Sequence, residues 1–517
     1  MQPLKWAPAI ACALVLLLLA GPLWAEEPGS AWLDAGGRPS ASAREALQLL
    51  ADADSDGLAP VDYRAAELAA TAAALAVATE SAASQQAAFA RELEAALLRF
   101  MRDLHFGRID PRTLGMRLPP RTGGAFDMAQ RLHAALAERR LSAVIAGLRP
   151  RFAQYGKLRE ALAHYRTLAQ DPALSGVLAG RPSKAGDRPP FPSGLAPLLS
   201  ALGDLPTGTA PRDVDEAAVA AGLRRFQRRH GLADDAVAGA ATLAALNTRL
   251  AQRVQQIELA LERLRWLPDM TSSRFVAINI PMFRLWAWDP AAPERPPLGM
   301  PIVVGRALDT QTPVLAQEMR YLVFRPYWNV PRSILSREIL PALARDPRYL
   351  ERNDMEIVRG AGDDARPVQA SADNLQLLRR GVLRVRQRPG PRNSLGLVKF
   401  IFPNDDNVYL HGTPATSLFG RTRRDFSHGC VRVADPVALA QWVLDDPSHW
   451  TRDRVRAAME GSEQSRRVDL ARPLQVILFY TTTMVDPQDG SLHFAADIYG
   501  HDAALQRALV RSRAGSP

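Results

Sequence analysis

Apolar positions recur along this chain with two different periods, and the change of period divides it. Across residues 30–180 they fall at helical spacing, in Arg44–Ala51, Ala65–Val77 and Ala87–Leu104, which predicts a mainly helical scaffold. Gly180–Gly194 holds four prolines and reads as a linker. Val219, Leu223 and Phe226 then share one helical face in a compact three-helix unit over 195–250. Gly231 suits the end of its first long helix, and Thr242 the start of the next. Glu258–Trp266 is one more predicted helix. Beyond residue 270 the pattern becomes short runs rich in β-branched and aromatic residues: Phe275–Ile280, Phe283–Trp288, Met300–Val304, Met319–Phe324, Gly396–Phe402 and Asn407–Leu410. Gln475–Val485 and Leu492–Tyr499 predict a closing hairpin. Residues 270–500 are therefore a strand-rich, β-sandwich-like domain, and 501–517 a tail. Ser333–Arg388 interrupts it with a helical pattern (Ile334–Arg345) and polar loops; an insert of this length beside a site commonly serves as a lid. The fold class is α+β and multidomain, with a helical N-terminal scaffold, a three-helix module and a β-rich domain carrying a helical capping insert.

The first residues set the compartment. Met1–Lys5 is a short basic start, Trp6–Ala25 is uncharged and leucine-rich, and Leu23-Trp24-Ala25 before Glu26 fits a cleavage site. Residues 1–25 are a signal peptide or, failing cleavage, a membrane anchor. The rest of the chain is exported. At 517 residues it has room for about three domains, and 47% hydrophobic content supplies their cores. The net charge of +10 comes almost wholly from arginine, since only Lys5, Lys157, Lys184 and Lys399 are lysines. These charges are dispersed rather than striped, which argues against nucleic acid and suits a diffuse anionic polymer. Asp52-x-Asp54-x-Asp56-Gly57 begins like a calcium loop, but its twelfth position is Tyr63 where a bidentate glutamate is needed, so an acidic turn is expected.

Cysteine usage is the sharpest clue. Cys12 lies within the apolar leader, which leaves Cys430 alone in the exported body. A lone thiol in an oxidising compartment is a liability unless it is buried or chemically useful. Its surroundings point to use. His411-Gly412 ends a predicted strand, and Ser427-His428-Gly429-Cys430-Val431-Arg432 follows sixteen residues after His411. An imidazole at the end of a strand is held rigidly enough to activate a thiol in the following turn. Gly429 allows an unusual turn, and the backbone N–H groups of His428, Gly429 and Cys430 are candidate oxyanion donors. The Gly412 carbonyl can orient the His411 ring in place of a triad carboxylate. Zinc held by His411, His428 and Cys430 is an alternative, but the spacing is not compact and no fourth ligand is evident.

This constellation resembles the L,D-transpeptidase catalytic domain of the YkuD type, whose signature is a histidine followed by Ser/Thr-His-Gly-Cys. Arg432 stands where that signature has Asn or Arg. Leu264-Arg-Trp266-Leu-Pro268, Val304-Gly305-Arg306, Thr312-Pro313, Tyr327-Trp328-Asn-Val-Pro331 and Asn393-Ser-Leu-Gly396 extend the resemblance to the large Gram-negative members, which carry a scaffold, a wall-binding module and a capping subdomain. Residues 195–250 likewise resemble the three-helix peptidoglycan-binding module, with Ala236 where a turn glycine is usual.

The resemblance implies that Cys430 is the nucleophile and His411 the base, with Ser427, His428, Arg432, Asn393 and Trp328 binding substrate. No cofactor or metal is implied. The partners are peptidoglycan stem peptides and glycan strands, with other wall-synthesis proteins conceivable, and the location is the periplasm. The implied reaction is 3–3 cross-linking of stem tetrapeptides through a thioester, with carbapenems as covalent inhibitors. Water or a protein lysine as acceptor would keep the chemistry and change the product. A non-catalytic peptidoglycan-binding scaffold is the reading from another class.

Overall fold

The computed structural model describes residues 31–514 other than 79–82, 122–125, 175–190, 193, 207–214, 271 and 309. The export segment 1–25, Cys12 and most of the Gly180–Gly194 linker lie outside the described residues. No described helix is long and apolar enough to cross a membrane.

The helical scaffold forms as its periodicity predicts. Helix Ala83–Phe106 buries Phe89, Leu93, Leu97, Phe100 and Leu104, a single stripe at steps of three and four. Helices Ala41–Ala51, Ala65–Val77, Met128–Ala137 and Leu141–Leu148 close round that stripe. The Ser40 and Asp127 side chains accept from the first-turn amides of their helices, caps worth about 1 kcal/mol each. Helix Ala153–Ala169, which lies in the sequence-defined scaffold, packs elsewhere. Its Tyr155, Leu158, Leu162 and Tyr165 join helix Leu250–Trp266 in the core of the strand-rich domain.

The three-helix unit is built from Leu195–Ala201, Glu216–Arg229 and Ala240–Leu246, with Val219, Leu223 and Phe226 in its core. Gly231 has φ 65°, ending the second helix as expected. Buried Gln227 organises the next turn. Its Nε2 donates to the Val237 carbonyl and Thr242 Oγ1, both at 3.1 Å, and its Oε1 accepts from the Ala236 N–H at 2.9 Å.

The strand-rich domain is one closed sheet. Its strands are β1 (Phe275–Asn279), β2 (Arg284–Trp288), β3 (Leu298–Gly305) and β4 (Leu315–Phe324), then, after an insert bearing β5–β8, β9 (Val398–Ile401), β10 (Leu410–His411), β11 (Asp425–Ser427), β12 (Val431–Val433) and β13 (Arg466–Phe479). The order is β11-β3-β12-β10-β9-β4-β13-β1-β2, and β2 pairs back onto β3. The β-rich domain expected from sequence is thus closed on itself, with β11 attached to β3 alone. The expected closing hairpin is divided. Gln475–Phe479 belongs to β13, beside β1 and β4, and only Thr483–Val485 and Leu492–Phe494 pair as a hairpin. Residues 501–514, read as tail, form helix His501–Ala514 with Leu505 in the main core.

The insert is a subdomain with its own core rather than a set of helices. β5 (Trp328–Asn329), β6 (Met355–Arg359), β7 (Arg366–Val368) and β8 (Arg384–Gln387) make an antiparallel sheet in the order β5-β8-β6-β7. Val330, Ile334, Leu335, Ile339, Ile357 and Val385 pack on it. The helical run Arg332–Arg345 contains one wide turn at Leu335–Ile339. Pro341 follows at once and lacks the N–H that a regular turn would need, which accounts for the widening.

Candidate active site

Strand alternation creates the site. Val398, Phe400, Leu410, Val431 and Val433 point into the main core and are at most 1% exposed. The residues between them, Lys399, Tyr409, His411, Cys430 and Arg432, therefore share the opposite face of β9, β10 and β12. The insert roofs this face. Between the two lies a cavity of about 960 Å³ whose walls include all five of these residues, with Trp328, Ile334 and Glu338 from the roof.

His411 is buried, and its Nδ1 lies 2.5 Å from the Gly412 carbonyl, the orienting contact expected from sequence. Gly396 (φ 64°) packs against Gly412 so closely that a Cβ there would sit 2.6 Å from the Gly412 carbonyl carbon. The Asn-Ser-Leu-Gly stretch thus serves the histidine indirectly. The loop bearing the thiol is fastened at several points. Ser427 Oγ donates to the Cys430 carbonyl at 2.5 Å and accepts from the Gly429 N–H at 3.2 Å. Thr312 Oγ1 donates to the Gly429 carbonyl at 2.8 Å, and Thr310 Oγ1 to the Ser427 carbonyl at 3.2 Å. Gly429 has φ 112°, a conformation that other residues avoid.

Burial disfavours charge on both side chains. Burial, aided by the Arg432 charge, lowers His411 to about 3 against the pull of the Gly412 and Leu395 carbonyls. Burial raises the Cys430 thiol, and contacts with the Tyr409 amide and hydroxyl and the Arg432 charge offset this only in part. Cys430 is half-buried as a residue and lines the roofed cavity, and desolvation is the largest influence on its thiol. Sγ donates to the Asn407 carbonyl at 3.7 Å. Among the described residues no hydrogen bond joins it to His411. Both side chains line the same cavity.

The remaining sequence candidates divide. Trp328 and Arg432 line the cavity. Ser427 is buried and spends its hydroxyl on the turn. The Gly429 N–H, expected as an oxyanion donor together with those of His428 and Cys430, donates instead to Ser427 Oγ. Asn393 does not reach the cavity. It is 1% exposed, and its amide donates to the Pro326 and Arg388 carbonyls and accepts from the Leu395 N–H. His428 turns to the roof, its Nε2 2.5 Å from Glu338 Oε1. Sequence reading passed over Tyr409, Lys399, Asn407 and Glu338. The first two carried a signal, because each falls on the same strand face as His411. Among the described residues no cluster of three His, Cys, Asp or Glu side chains is placed to hold a metal ion. Asp56, in the calcium-like turn, is instead buried against Arg149 and Arg159.

Three segments of the chain match known families. Residues 273–459 match the family described as "L,D-transpeptidase catalytic domain" (YkuD), residues 25–162 a "Scaffold domain", and residues 198–246 a "Putative peptidoglycan binding domain". The chain thus carries the YkuD-type L,D-transpeptidase catalytic domain joined to a scaffold and a peptidoglycan-binding domain. It is similar to a Haemophilus influenzae protein described as "Putative L,D-transpeptidase", with 31% identity over 259 residues. That stretch is 50% of this chain and 50% of the relative, so the chain spans about half the length of the curated relative it matches.

Proposed function

We propose that this protein is an exported L,D-transpeptidase that forms 3–3 cross-links in peptidoglycan through a thioester on Cys430. The observation that carries the reading is the shared strand face: the thiol, the oriented imidazole and Arg432 open into one roofed cavity large enough for a peptide.

In this mechanism Nδ1–H of His411 donates to the Gly412 carbonyl, which fixes the tautomer and leaves Nε2 as the acceptor. With substrate bound, Sγ leaves the Asn407 carbonyl, gives its proton to Nε2 and bonds to the carbonyl carbon of the third residue of a stem tetrapeptide. The His428 and Cys430 amides hold the resulting oxyanion. Collapse breaks the C–N bond, His411 returns the proton to the departing amine of the terminal residue, and a thioester remains. The side-chain amine of a second stem then attacks, losing its proton to His411, and the Cys430 thiol is regenerated. Starting from a neutral pair avoids burying an ion pair in the empty site. The roofing subdomain favours the amine over water, because hydrolysis of the thioester requires access under it. Periplasmic action and glycan-strand binding by the three-helix module belong to the same proposal.

The test is incubation of purified protein with tetrapeptide muropeptides, followed by mass spectrometry. The proposal expects 3–3 dimers and a covalent mass gain on Cys430, with a carbapenem giving the corresponding adduct. Tripeptides without dimers would reassign the acceptor to water. No adduct at Cys430 under either condition would sink the reading.

A further inference from the structure

The floor of the cavity holds two cations that lack counter-ions. Lys399 on β9 and Arg432 on β12 are each in direct register with His411 on β10, so the imidazole has a positive side chain on either hand. Among the described residues, neither has a carboxylate within ion-pair distance. Nε of Arg432 is buried without a hydrogen-bond partner. The nearby acids are engaged elsewhere. Asp363 accepts from Ser465 Oγ at 2.6 Å and Asn329 Nδ2 at 3.3 Å, Glu338 is bonded to His428, and Asp406 pairs with Arg117 at 2.7 Å. Desolvation lowers the pKa of both cations, for Lys399 against a distant pull from Asp363. Like charges held together in a half-dry pocket are costly unless an anion joins them. The residue type adds a second indication. This chain has 64 basic residues and only four lysines, so a lysine on the face of the site departs from its habit. An ammonium on a flexible stem can follow a moving carboxylate where a planar guanidinium cannot.

We propose that Lys399, together with Arg432, binds the terminal carboxylate of the donor's leaving residue and so restricts the enzyme to free C-termini of stem peptides. The assignment rests on the acyl-transfer reading above. His411 must reach the amine that departs, and the carboxyl carbon of that residue is two bonds from the same nitrogen. A carboxylate there falls beside the ring, where the two cations stand. Any side-chain carboxylate that the diamino acid carries lies on the acyl side of the scissile bond. Lys399 is thus a specificity residue for the reaction. An internal peptide bond, which has no carboxylate at this position, leaves the two charges uncompensated.

The experiment uses the full chain and three donors: the tetrapeptide, its C-terminal amide, and the tetrapeptide amidated only on the diamino-acid carboxylate. Release of the terminal residue is followed for the wild type, Lys399→Met and Lys399→Arg. The wild type is expected to use the C-terminal amide about tenfold to a hundredfold less well in kcat/KM than the acid. Lys399→Met should lower kcat/KM for the acid by a similar factor, mainly through KM, and leave the C-terminal amide nearly unchanged. Lys399→Arg should restore most of the loss. Equal losses on acid and amide would mark Lys399 as merely structural and overturn the assignment. A wild-type penalty only for the diamino-acid amide would overturn it too, by placing the cations on the acyl side. Failure of the wild type to form the Cys430 thioester with the acid donor is a separate outcome. It would refute the transpeptidase reading and this assignment with it.

Discussion

Two arginines of this protein, Arg265 and Arg432, are treated in opposite ways. At the junction with the scaffold, Arg265 is fully buried and fully partnered. Its guanidinium reaches Glu262 at 2.8 Å, Tyr155 Oη at 3.1 Å and the Asp56 carbonyl. Glu262 in turn accepts from the Arg108 and Ile109 amides. On the cavity floor Arg432 keeps an unpartnered Nε, and Lys399 has no carboxylate within ion-pair distance among the described residues. The same kind of charge is spent on architecture in one place and held in reserve in the other. Closed networks are what a fold needs to fix two domains, and open ones are what a site needs to receive an anion.

The largest effect separates the two regions outright. Cys430→Ala should abolish thioester formation, cut turnover at least about 10³-fold and leave the unfolding midpoint nearly where it was, since the sulfur's contacts are a long one to the Asn407 carbonyl and those with Tyr409. Turnover by the purified variant near the wild-type rate would remove the thiol from the mechanism. Glu262→Ala should do the reverse. It strands Arg265 and two backbone amides, and about 3–5 kcal/mol of stability should disappear in denaturant titration while turnover per folded molecule persists. A loss under about 1 kcal/mol would mean that the network is not what holds the junction.

Proton linkage sharpens the contrast in a pH series. Burial lowers His105, in the scaffold, to about 4 and His411, in the site, to about 3. Each is neutral when folded and binds a proton when unfolded below an ordinary histidine value of about 6.5. The unfolded chain therefore holds more protons between those limits, and stability falls as the pH drops from about 6.5 toward the folded values. His105→Gln and His411→Gln should each flatten that slope, but only the second should abolish turnover. The wild-type kcat/KM profile should lack an acid limb near pH 6.5, because His411 is already neutral there. An inflection at that pH in the wild type that persists in His105→Gln would show a charged resting imidazole at the site.

How much of this was legible depended on whether local pattern or distant contact decided the outcome. The alternation in Val398–Ile401, Leu410–His411 and Val431–Val433 is local, so strands, core face and site face can all be read from it. That His411 and Cys430 would fall close together was equally open to reading, and both line one cavity. Asn393 was not, because its amide is consumed by the carbonyls of Pro326 and Arg388, which only the folded chain brings near. The roof sheet also escaped. Its strands are two to five residues long and arginine-rich, as in Arg384–Gln387, and they carry too few apolar positions to show a period. Sheet closure depends on β2 meeting β3, a pairing that strand propensity alone does not reveal.

The smallest predicted effect extends the contrast from charge to backbone. The non-glycine residues in left-handed conformations include Ala236, at φ 60° in the three-helix module, and Asn407, at φ 54° beside the thiol. Ala236 is the position where the resemblance led one to expect glycine, and its positive φ shows why. The turn needs that conformation, and a Cβ makes it cost about 1 kcal/mol. Ala236→Gly should therefore raise stability by about that amount and leave catalysis alone, since the Gln227 bond uses only the backbone amide. Asn407 differs in that its strained backbone presents the carbonyl that receives the Sγ proton at rest. Asn407→Gly should relieve similar strain yet slow thioester formation, because a looser loop no longer fixes where the thiol waits. If both glycines stabilised the protein and neither touched the rate, strain at the site would be incidental. The difference between the two regions would then lie in their charges alone.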